Sequence, residues 1–303
     1  MFALTAGALC DMVEDVTGVT TAGHALKHLN AGYARFLSGL DPRDPSIGSR
    51  HIWSFLQPLA TLALSYQSTG TATGVYDGST YTVVTATTAA FEPSNVGDDL
   101  VVASTGTYTI AKYVSSTVVW IDGDHAFVSK GLTFPHCGIY DLPSDFGGII
   151  DKPIFPYSTD DARSELTEVS PEEILRDWRD SHFVGTPNKW AVVPLAFTST
   201  TGQRWRMMFS PRVDSDRIVR YRHLVVPSPL TDTSAAVYPL GGATHSQTVK
   251  YAALADYETS KSQPGFYEQM YQTHFAASID HDRQVIRTLG PQHLGHDGPE
   301  ING

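Results

Sequence analysis

The stretch TYTVVTATTAAFEPSNVGDDLVVASTGTYTIAKYVSSTVVWI, residues 80–121, carries the clearest structural signal in this chain. It alternates short runs of Thr, Val, Tyr and Ile with turns that contain glycine, such as Gly97-Asp98. These residue types favour β-strands, and turns at such close spacing are typical of small barrels and sandwiches. The expected strands cover 80–84, 100–102, 108–110 and 117–121. We therefore predict an inserted small β-barrel or sandwich domain over residues 68–130.

The segment before this domain, residues 1–67, has a helical pattern. Apolar residues recur at the three-four spacing of one buried helix face. They are Ala25, Leu26, Leu29, Tyr33, Phe36, Leu37 and Leu40. Thr20 or Thr21 is expected to cap this helix, and Asp41-Pro42 to end it. In the apolar segment 52–64 that follows, Pro58 is expected to bend any helix.

The segment after the β-domain, residues 131–289, mixes strands and helices. Ser170-Pro171-Glu172-Glu173 is a strong helix start, with a capping serine, proline at the first position and acids in the first turn. We predict helices over 170–181 and, as a pair, over 243–289, and three strands within 190–225. Residues 290–303 are rich in Gly and Pro and are predicted to form a flexible arm. The predicted fold class is α+β: N-terminal helices and a C-terminal helix pair, a small sheet, and the inserted β-domain.

The composition restricts the kind of protein. Of the 303 residues 41% are hydrophobic and 17% are charged, as in a folded domain, and no apolar run is long enough for a membrane span. The net charge of −11 argues against a protein that grips nucleic acid, because such binding needs clustered cations to neutralise phosphates. Cys10 and Cys137 are expected to be buried small hydrophobes. We expect the protein to be made and assembled in a cytoplasm.

Motifs that would indicate an enzyme do not occur in the sequence. It lacks a Walker phosphate loop, GxGxxG, GxSxG, HExxH and CxxC. We expect a protein that is not an enzyme and that needs no cofactor and no metal. A hydrolase whose Ser, His and Asp meet only in the fold is the alternative, for which the sequence gives no positive signal.

Three clusters of side chains offer candidate sites. His274, Asp280, His281 and Asp282 share the last helix, with His293 and His296 beyond it, and surface or interface roles are favoured over metal binding. Six arginines lie between positions 204 and 222. Of these, Arg204, Arg206, Arg217, Arg220 and Arg222 are predicted to form ion pairs between subunits, in preference to a nucleic-acid site.

The third cluster is aromatic. Its members on the two final helices suit a packed helical face or a subunit interface. They are Tyr251, Tyr257, Phe266, Tyr267, Tyr271 and Phe275. In the β-domain, Tyr76, Tyr81, Tyr108, Tyr113 and Trp120 are expected to serve the barrel's core and surface, although aromatic rings also stack on sugars. A host-surface or decoration protein that binds carbohydrate through this domain is therefore an alternative function.

The order of these features resembles the head-to-tail adaptor, or head-completion, proteins of tailed bacteriophages. The resemblance rests on the helix within 25–41, the turn Leu142-Pro143-Ser144-Asp145-Phe146, the strands of 190–225, the segment 227–232 and the helices of 252–282. The run around Val96-Gly97-Asp98-Asp99-Leu100 is similar to a β module often inserted in these proteins. Ser144 departs from the acidic or amide residue common at its position.

This resemblance implies a structural virion protein at the neck, where the head meets the tail. Such a protein forms a ring with copies of itself, usually twelve, under the portal protein. It extends the DNA channel, through which genomic DNA passes without sequence-specific binding, and it docks the next neck or tail protein. The C-terminal arm would reach the portal, from about residue 283 onward. The expected docking residues are Arg283, Val285, Ile286, Arg287, Leu289, His293 and Leu294. No membrane partner is implied.

Overall fold

The computed structural model describes residues 4–18, 23–40, 50–87, 91–156, 166–180, 183–200, 202–231, 237–262 and 265–288. They form two compact units. One comprises residues 1–58 and 225–303, and the other residues 59–224. The predicted α+β fold class is confirmed, because helices dominate the first unit and sheets the second.

The helical unit contains α1 (Ala6–Thr17), α2 (His24–Leu37), α4 (Gly242–Ser260) and α5 (Phe266–Thr288). The predicted face of α2 is buried, with Leu29 and Phe36 fully inaccessible to solvent. Phe36 packs on Trp53 and Phe275, and the Trp53 indole donates a hydrogen bond to the Phe36 carbonyl. The aromatic residues of the final helix are thus partly core: Tyr271 and Phe275 are fully buried, whereas Phe266 is exposed.

Close packing of α2 against α4 depends on small residues. A Cβ on Gly32 would lie 2.3 Å from the backbone nitrogen of Ala253. Ala252 and Ala253 are themselves fully buried. Any side chain at Gly32 would therefore force the two helices apart.

The second unit contains a closed barrel of six strands in the order β2-β3-β6-β5-β4-β7. Its strands are β2 (Gln67–Tyr76), β3 (Tyr81–Ala86), β4 (Asp99–Val102), β5 (Gly106–Ser115), β6 (Val118–Asp122) and β7 (Phe127–Pro135). Alternate side chains point inward, and Val84, Leu100, Val119 and Ile121 are fully buried. Each of the four expected strands coincides with one of β3–β6.

The rest of this unit is a sandwich of two sheets. The front sheet has the order β1-β13-β9, with β1 (Leu59–Leu64), β13 (Arg217–Val225) and β9 (Phe146–Ile149). The back sheet has the order β10-β11-β12-β8, with β10 (Thr167–Glu168), β11 (Lys189–Pro194), β12 (Trp205–Ser210) and β8 (Ile139–Asp141). Between them lies a core that includes Leu64, Trp190, Phe209, Val219 and Tyr221.

A helix covers the far side of the back sheet. This helix, α3 (Pro171–Asp180), begins where the sequence predicts, and the Ser170 hydroxyl accepts a hydrogen bond from the Glu173 amide. Ile174 and Trp178 pack on Ala191 and Met208 of the back sheet. The layers are therefore front sheet, back sheet and α3, in that order.

Some local expectations were wrong. The N-cap of α2 is Gly23, which has a left-handed backbone conformation, and no side chain caps this end by a hydrogen bond. The helix ends at Leu37. Thr20, Thr21 and Asp41-Pro42 lie outside the described residues. The apolar segment 52–64 forms a short 3-10 turn, Ser54–Leu56, and then strand β1, instead of a bent helix. The final helix, in contrast, agrees with its predicted end near residue 289: α5 ends at Thr288, so the first residues of the expected portal-docking segment are helical.

Candidate functional site

The arginine-rich strands of the sandwich hold the barrel. Arg212 follows β12 and binds Asp98 of the barrel through two hydrogen bonds, Nη1 to Oδ2 at 2.5 Å and Nη2 to Oδ1 at 2.6 Å. The two side chains are 4% and 2% exposed. The Asn95 amide also donates to Asp98 and to the Pro135 carbonyl, so the buried carboxylate has three donors. A bidentate pair at this depth fixes the barrel's orientation on the sandwich.

Arg206 adds a second, half-buried link between the same parts. Its Nη1 donates to Glu92 of the barrel at 3.0 Å, and its Nε donates to Asp141 at the end of β8 at 2.7 Å. Glu92 also closes a capping box with Asn95 in the turn that carries Asp98. Together Arg206, Arg212, Glu92 and Asp98 make up what we call the barrel joint.

Burial changes the titration of the groups beside the joint. His136 stacks on Tyr140 with ring centroids 4.4 Å apart, and its Nδ1 accepts a hydrogen bond from the Gly138 amide. Burial, together with the nearby positive charge of Arg212, lowers the pKa of His136 to about 4. Burial raises the pKa of the Cys137 thiol to about 11. Cys10 is also buried, and burial raises its pKa to about 11, so the expected burial of both cysteines is confirmed.

The other predicted arginines have different surroundings. Arg217 binds Asp214 at 2.9 Å and Arg222 binds Asp151 at 3.0 Å, both within the chain. Arg220 is exposed and forms no ion pair with the described residues, and Arg204 is half-buried beside the start of β12. Pairing of these arginines between subunits stays a prediction. For Arg206, Arg217 and Arg222, carboxylates of the same chain already provide partners.

The front sheet leaves one face uncovered, which we call the open face. In β13 the inward residues Val219 and Tyr221 are buried, whereas Ile218 and Arg220 alternate with them and are exposed. The open face consists of Leu59, Thr61, Ala63, Ile154, Ile218, Arg220 and Arg222, placed side by side by the strand register. Leu59 is 63% exposed, Ile154 59% and Ile218 52%. Three large apolar side chains on a sheet face are typical of a surface that binds another protein.

A groove lies at one end of the open face. It has a volume of about 450 Å³ and is lined by Ala63, Phe155, Asp216, Arg217 and Ile218, among others. Its apolar wall and its charged rim suit an aliphatic side chain that has a polar neighbour.

Within the described part of α5, members of the predicted cluster of histidines and acids contact other residues. Asp282 is 2% exposed and accepts hydrogen bonds from Ser54, while its Oδ2 lies 2.8 Å from the His51 Nε2. Burial alone would raise the pKa of Asp282, but the hydrogen bonds with His51 and Ser54 favour the ionised carboxylate, so its pKa is lowered. His274 instead stacks on Tyr251. No group of three or more potential metal ligands occurs among the described residues.

The aromatic residues of the barrel divide between core and surface. Tyr108 and Tyr113 pack against the barrel core. Tyr81 and Trp120 lie with ring centroids 5.3 Å apart, and the Lys112 ammonium is 4.4 Å from the centroid of Trp120. Tyr76, Tyr81 and Trp120 are all half-buried, and the Tyr76 hydroxyl donates a hydrogen bond to the Ser79 carbonyl.

Of the expected portal-docking residues, only Arg283 and Val285 have described side chains, and both are exposed on α5. Ile286 and Arg287 belong to the helix, but their side chains are outside the described set. Leu289, His293 and Leu294 lie outside the described residues. The open face could not be predicted, because the segment that forms β1 was expected to be helical. The partners of Arg206 and Arg212 could not be predicted either, because they lie far away in sequence.

Buried links between modules and an apolar sheet face are features of a structural protein that assembles with others. The model of the SU10 adaptor protein family matches residues 128–293. This match covers more than half of the chain, so the chain belongs to the SU10 adaptor protein family, a family of structural phage adaptors and not a known family of enzymes. No significantly similar curated protein was found.

The family assignment places the protein in the phage virion. The match begins in β7 and includes the sandwich strands β8–β13 and the helices α3, α4 and α5. The helices α1 and α2, the sandwich strand β1 and strands β2–β6 of the barrel lie before it. Within the described ranges, none of the helices combines the length and hydropathy needed to cross a bilayer.

Proposed function

We propose that this adaptor forms a ring under the portal protein at the phage neck, extends the DNA channel and docks the next neck or tail protein. The observation that carries the proposal is the family match over 128–293, which contains the sandwich strands β8–β13 and both final helices. The resemblance to head-to-tail adaptors implies twelve copies. We expect the ring to assemble in the host cytoplasm.

The charge of the chain supports the role as a conduit. A net charge of −11 per copy repels a polyanion, so DNA moves through the lumen without being gripped. Exposed Arg283 and Val285 near the end of α5 supply the first contacts of the portal-docking segment. That segment continues into Ile286, Arg287, Leu289, His293 and Leu294.

The test is to mix the full chain with the portal protein of the same phage and to count rings in electron micrographs. We expect rings on portal particles and few or none in the chain alone. The variant Arg283→Glu, Val285→Asp is expected to reduce portal binding at least tenfold. Val128→Asp is the matched control, because Val128 is 77% exposed on the barrel. If the unmodified chain neither binds the portal nor occurs in purified virions, the proposal fails.

A second candidate function concerns the barrel alone. The paired rings of Tyr81 and Trp120 with Lys112 above Trp120 favour stacking on a sugar of the host surface or contact with a decoration partner. The double variant Tyr81→Ser, Trp120→Ser is expected to assemble normally and to lower host adsorption several-fold. Adsorption equal to that of the parent phage would reject this candidate.

A further inference from the structure

We infer that neighbouring copies of this chain join head to tail, with the open face of one copy against the outer side of α3 in the next. The inference rests on the proposed ring function and names the surface that closes the ring. It follows from the layer order, in which the open face and α3 lie at opposite ends of one stack: front sheet, back sheet, α3.

The two ends of this stack differ in whether another element covers the outer face of the sheet. The back sheet is covered by α3, whereas no described element of the same unit covers the open face, which carries Leu59, Ile154 and Ile218. An antiparallel sheet that faces water normally presents polar residues there. The stack of front sheet, back sheet and α3 therefore has no further layer on the open face. A helix of another copy with an exposed apolar residue would supply that layer.

The outer side of α3 has that residue. Leu175 is 53% exposed, although its neighbours Ile174 and Trp178 are buried on the inner side. Glu173 and Asp177 both bind Lys189, at 2.9 and 3.0 Å, so each has a partner within the chain. Glu172 is exposed one helical turn before Leu175. Leu175 and Glu172 thus present an apolar group and a carboxylate side by side.

The open face offers the complementary pair. Ile218 and Arg220 are two positions apart and lie on the same side of β13. Their side chains are therefore separated by about 7 Å, close to the spacing of neighbours on a helix face. Arg220 has no ion pair among the described residues. Of the carboxylates beside the open face, Asp151 binds Arg222 and Asp216 accepts a hydrogen bond from the Tyr66 amide. Leu175 of a second copy fits the groove beside Ile218, and its Glu172 pairs with Arg220. This charge complementarity is the reason for choosing a second copy as the occupant.

Head-to-tail contacts use two different surfaces, so they propagate and close into a ring if the rotation between copies allows it. A face-to-face contact between two open faces would stop at a dimer and would place Arg220 against Arg220. The geometry of the stack therefore favours the contact that a ring needs.

The experiment is cross-linking of the full chain on the portal with a short bis-maleimide. The double variant Leu175→Cys, Ile218→Cys is expected to give a ladder of linked chains, and either single variant is expected to give none. Cys10 and Cys137 do not interfere, because their buried thiols have pKa values raised to about 11 and stay protonated at neutral pH. In the matched control, Val128→Cys replaces Leu175→Cys, and no ladder is expected.

The outcomes separate this inference from the function on which it rests. Rings in micrographs without a ladder, or dimers from Ile218→Cys alone, overturn the head-to-tail contact and leave the ring function standing. Absence of rings when the unmodified chain is mixed with the portal overturns both. As a second measurement, Ile218→Asp is expected to reduce ring number at least tenfold with unchanged thermal unfolding, whereas Val128→Asp has no effect. Normal ring formation by Ile218→Asp contradicts the inference.

Discussion

The barrel and the sandwich of the same unit solve the problem of exposed sheet surfaces in opposite ways. The barrel is closed, so every strand has two hydrogen-bonded neighbours and its apolar side chains point to one interior. The sandwich has free edges at β1, β9, β10 and β8 and an open face with three exposed large apolar residues. Closure makes the barrel self-sufficient, whereas the sandwich retains surface for partners.

The family match follows the same division. It covers the sandwich strands β8–β13 and the helices α3–α5, and it leaves α1, α2, β1 and strands β2–β6 outside. Of the open face, Ile154, Ile218, Arg220 and Arg222 lie within the match, whereas the β1 residues Leu59, Thr61 and Ala63 lie before it. This agrees with a common assembly core to which the barrel is attached by the barrel joint.

The strongest way to break this arrangement is to remove the buried cation of the joint. Arg212→Met leaves the Asp98 carboxylate buried without its main partner, so we expect a loss of about 3–5 kcal/mol in the free energy of unfolding. Urea denaturation of the full chain measures it. The double variant Arg212→Met, Asp98→Leu is expected to recover most of the loss, because a buried pair is replaceable by apolar residues.

Arg222→Met is the matched control for this measurement. Its ion pair with Asp151 is largely exposed, with Asp151 57% accessible, so the expected loss is only about 0.2–1 kcal/mol. Equal losses in the two single variants would show that burial of the joint is not what stabilises it.

A smaller effect is expected from protons at the joint. The pKa of His136 is about 4 in the folded chain and close to 6.5 when unfolded, so the unfolded state binds a proton first as the pH falls. The contribution of His136 to the free energy of unfolding is therefore fully present above pH 6.5. It is lost as the pH falls toward 4, by up to about 3 kcal/mol. Burial gives His245 in the helical unit a pKa of about 4 as well, with the same sign.

The variant His136→Gln separates the two histidines. It is expected to flatten the fall in urea midpoint between pH 6.5 and pH 4 without removing it, because His245 still titrates. Arg212→Met is expected to raise the pKa of His136, since it removes the neighbouring positive charge. An unchanged pH profile in His136→Gln would mean that the imidazole is not sheltered at the joint.

Local signals predicted the barrel's central strands and the helix α3, but not the strands that close the barrel. β3 to β6 contain dense β-branched and aromatic residues between glycine turns, which define strands locally. β2 has the sequence QSTGTATGVY, in which threonine and glycine predominate, and its pairing with β7 joins residues far apart in the chain. Such a strand is stabilised by its neighbours and not by its own composition.

The candidate site shows the same limit. The density of arginines between 204 and 222 predicts ion pairing, but the partners of Arg212 and Arg206 lie 114 positions away at Asp98 and Glu92. Only the closed barrel brings these carboxylates to the sandwich. Likewise, the short apolar run LATLAL in β1 is compatible with a helix or a strand, and the open face is not defined until its pairing with β13 is known.

The last and smallest expected effect concerns removal of the barrel from the assembly core. The chain enters and leaves the barrel at neighbouring points, because Gln67 pairs with Pro135 and the His136 amide donates to the Tyr66 carbonyl at 2.9 Å. Replacing residues 67–135 by Gly-Gly therefore requires little change in the flanking backbone. With Arg212→Met added to avoid an unpaired buried cation, we expect a folded chain that forms as many rings on the portal as the full chain, counted in micrographs. The same excision with Arg212 retained serves as the control and is expected to be less stable. If the excised chain folds but forms no rings, the barrel has an essential role in assembly. The division between a closed barrel and a sandwich that alone provides the assembly surfaces would then be wrong.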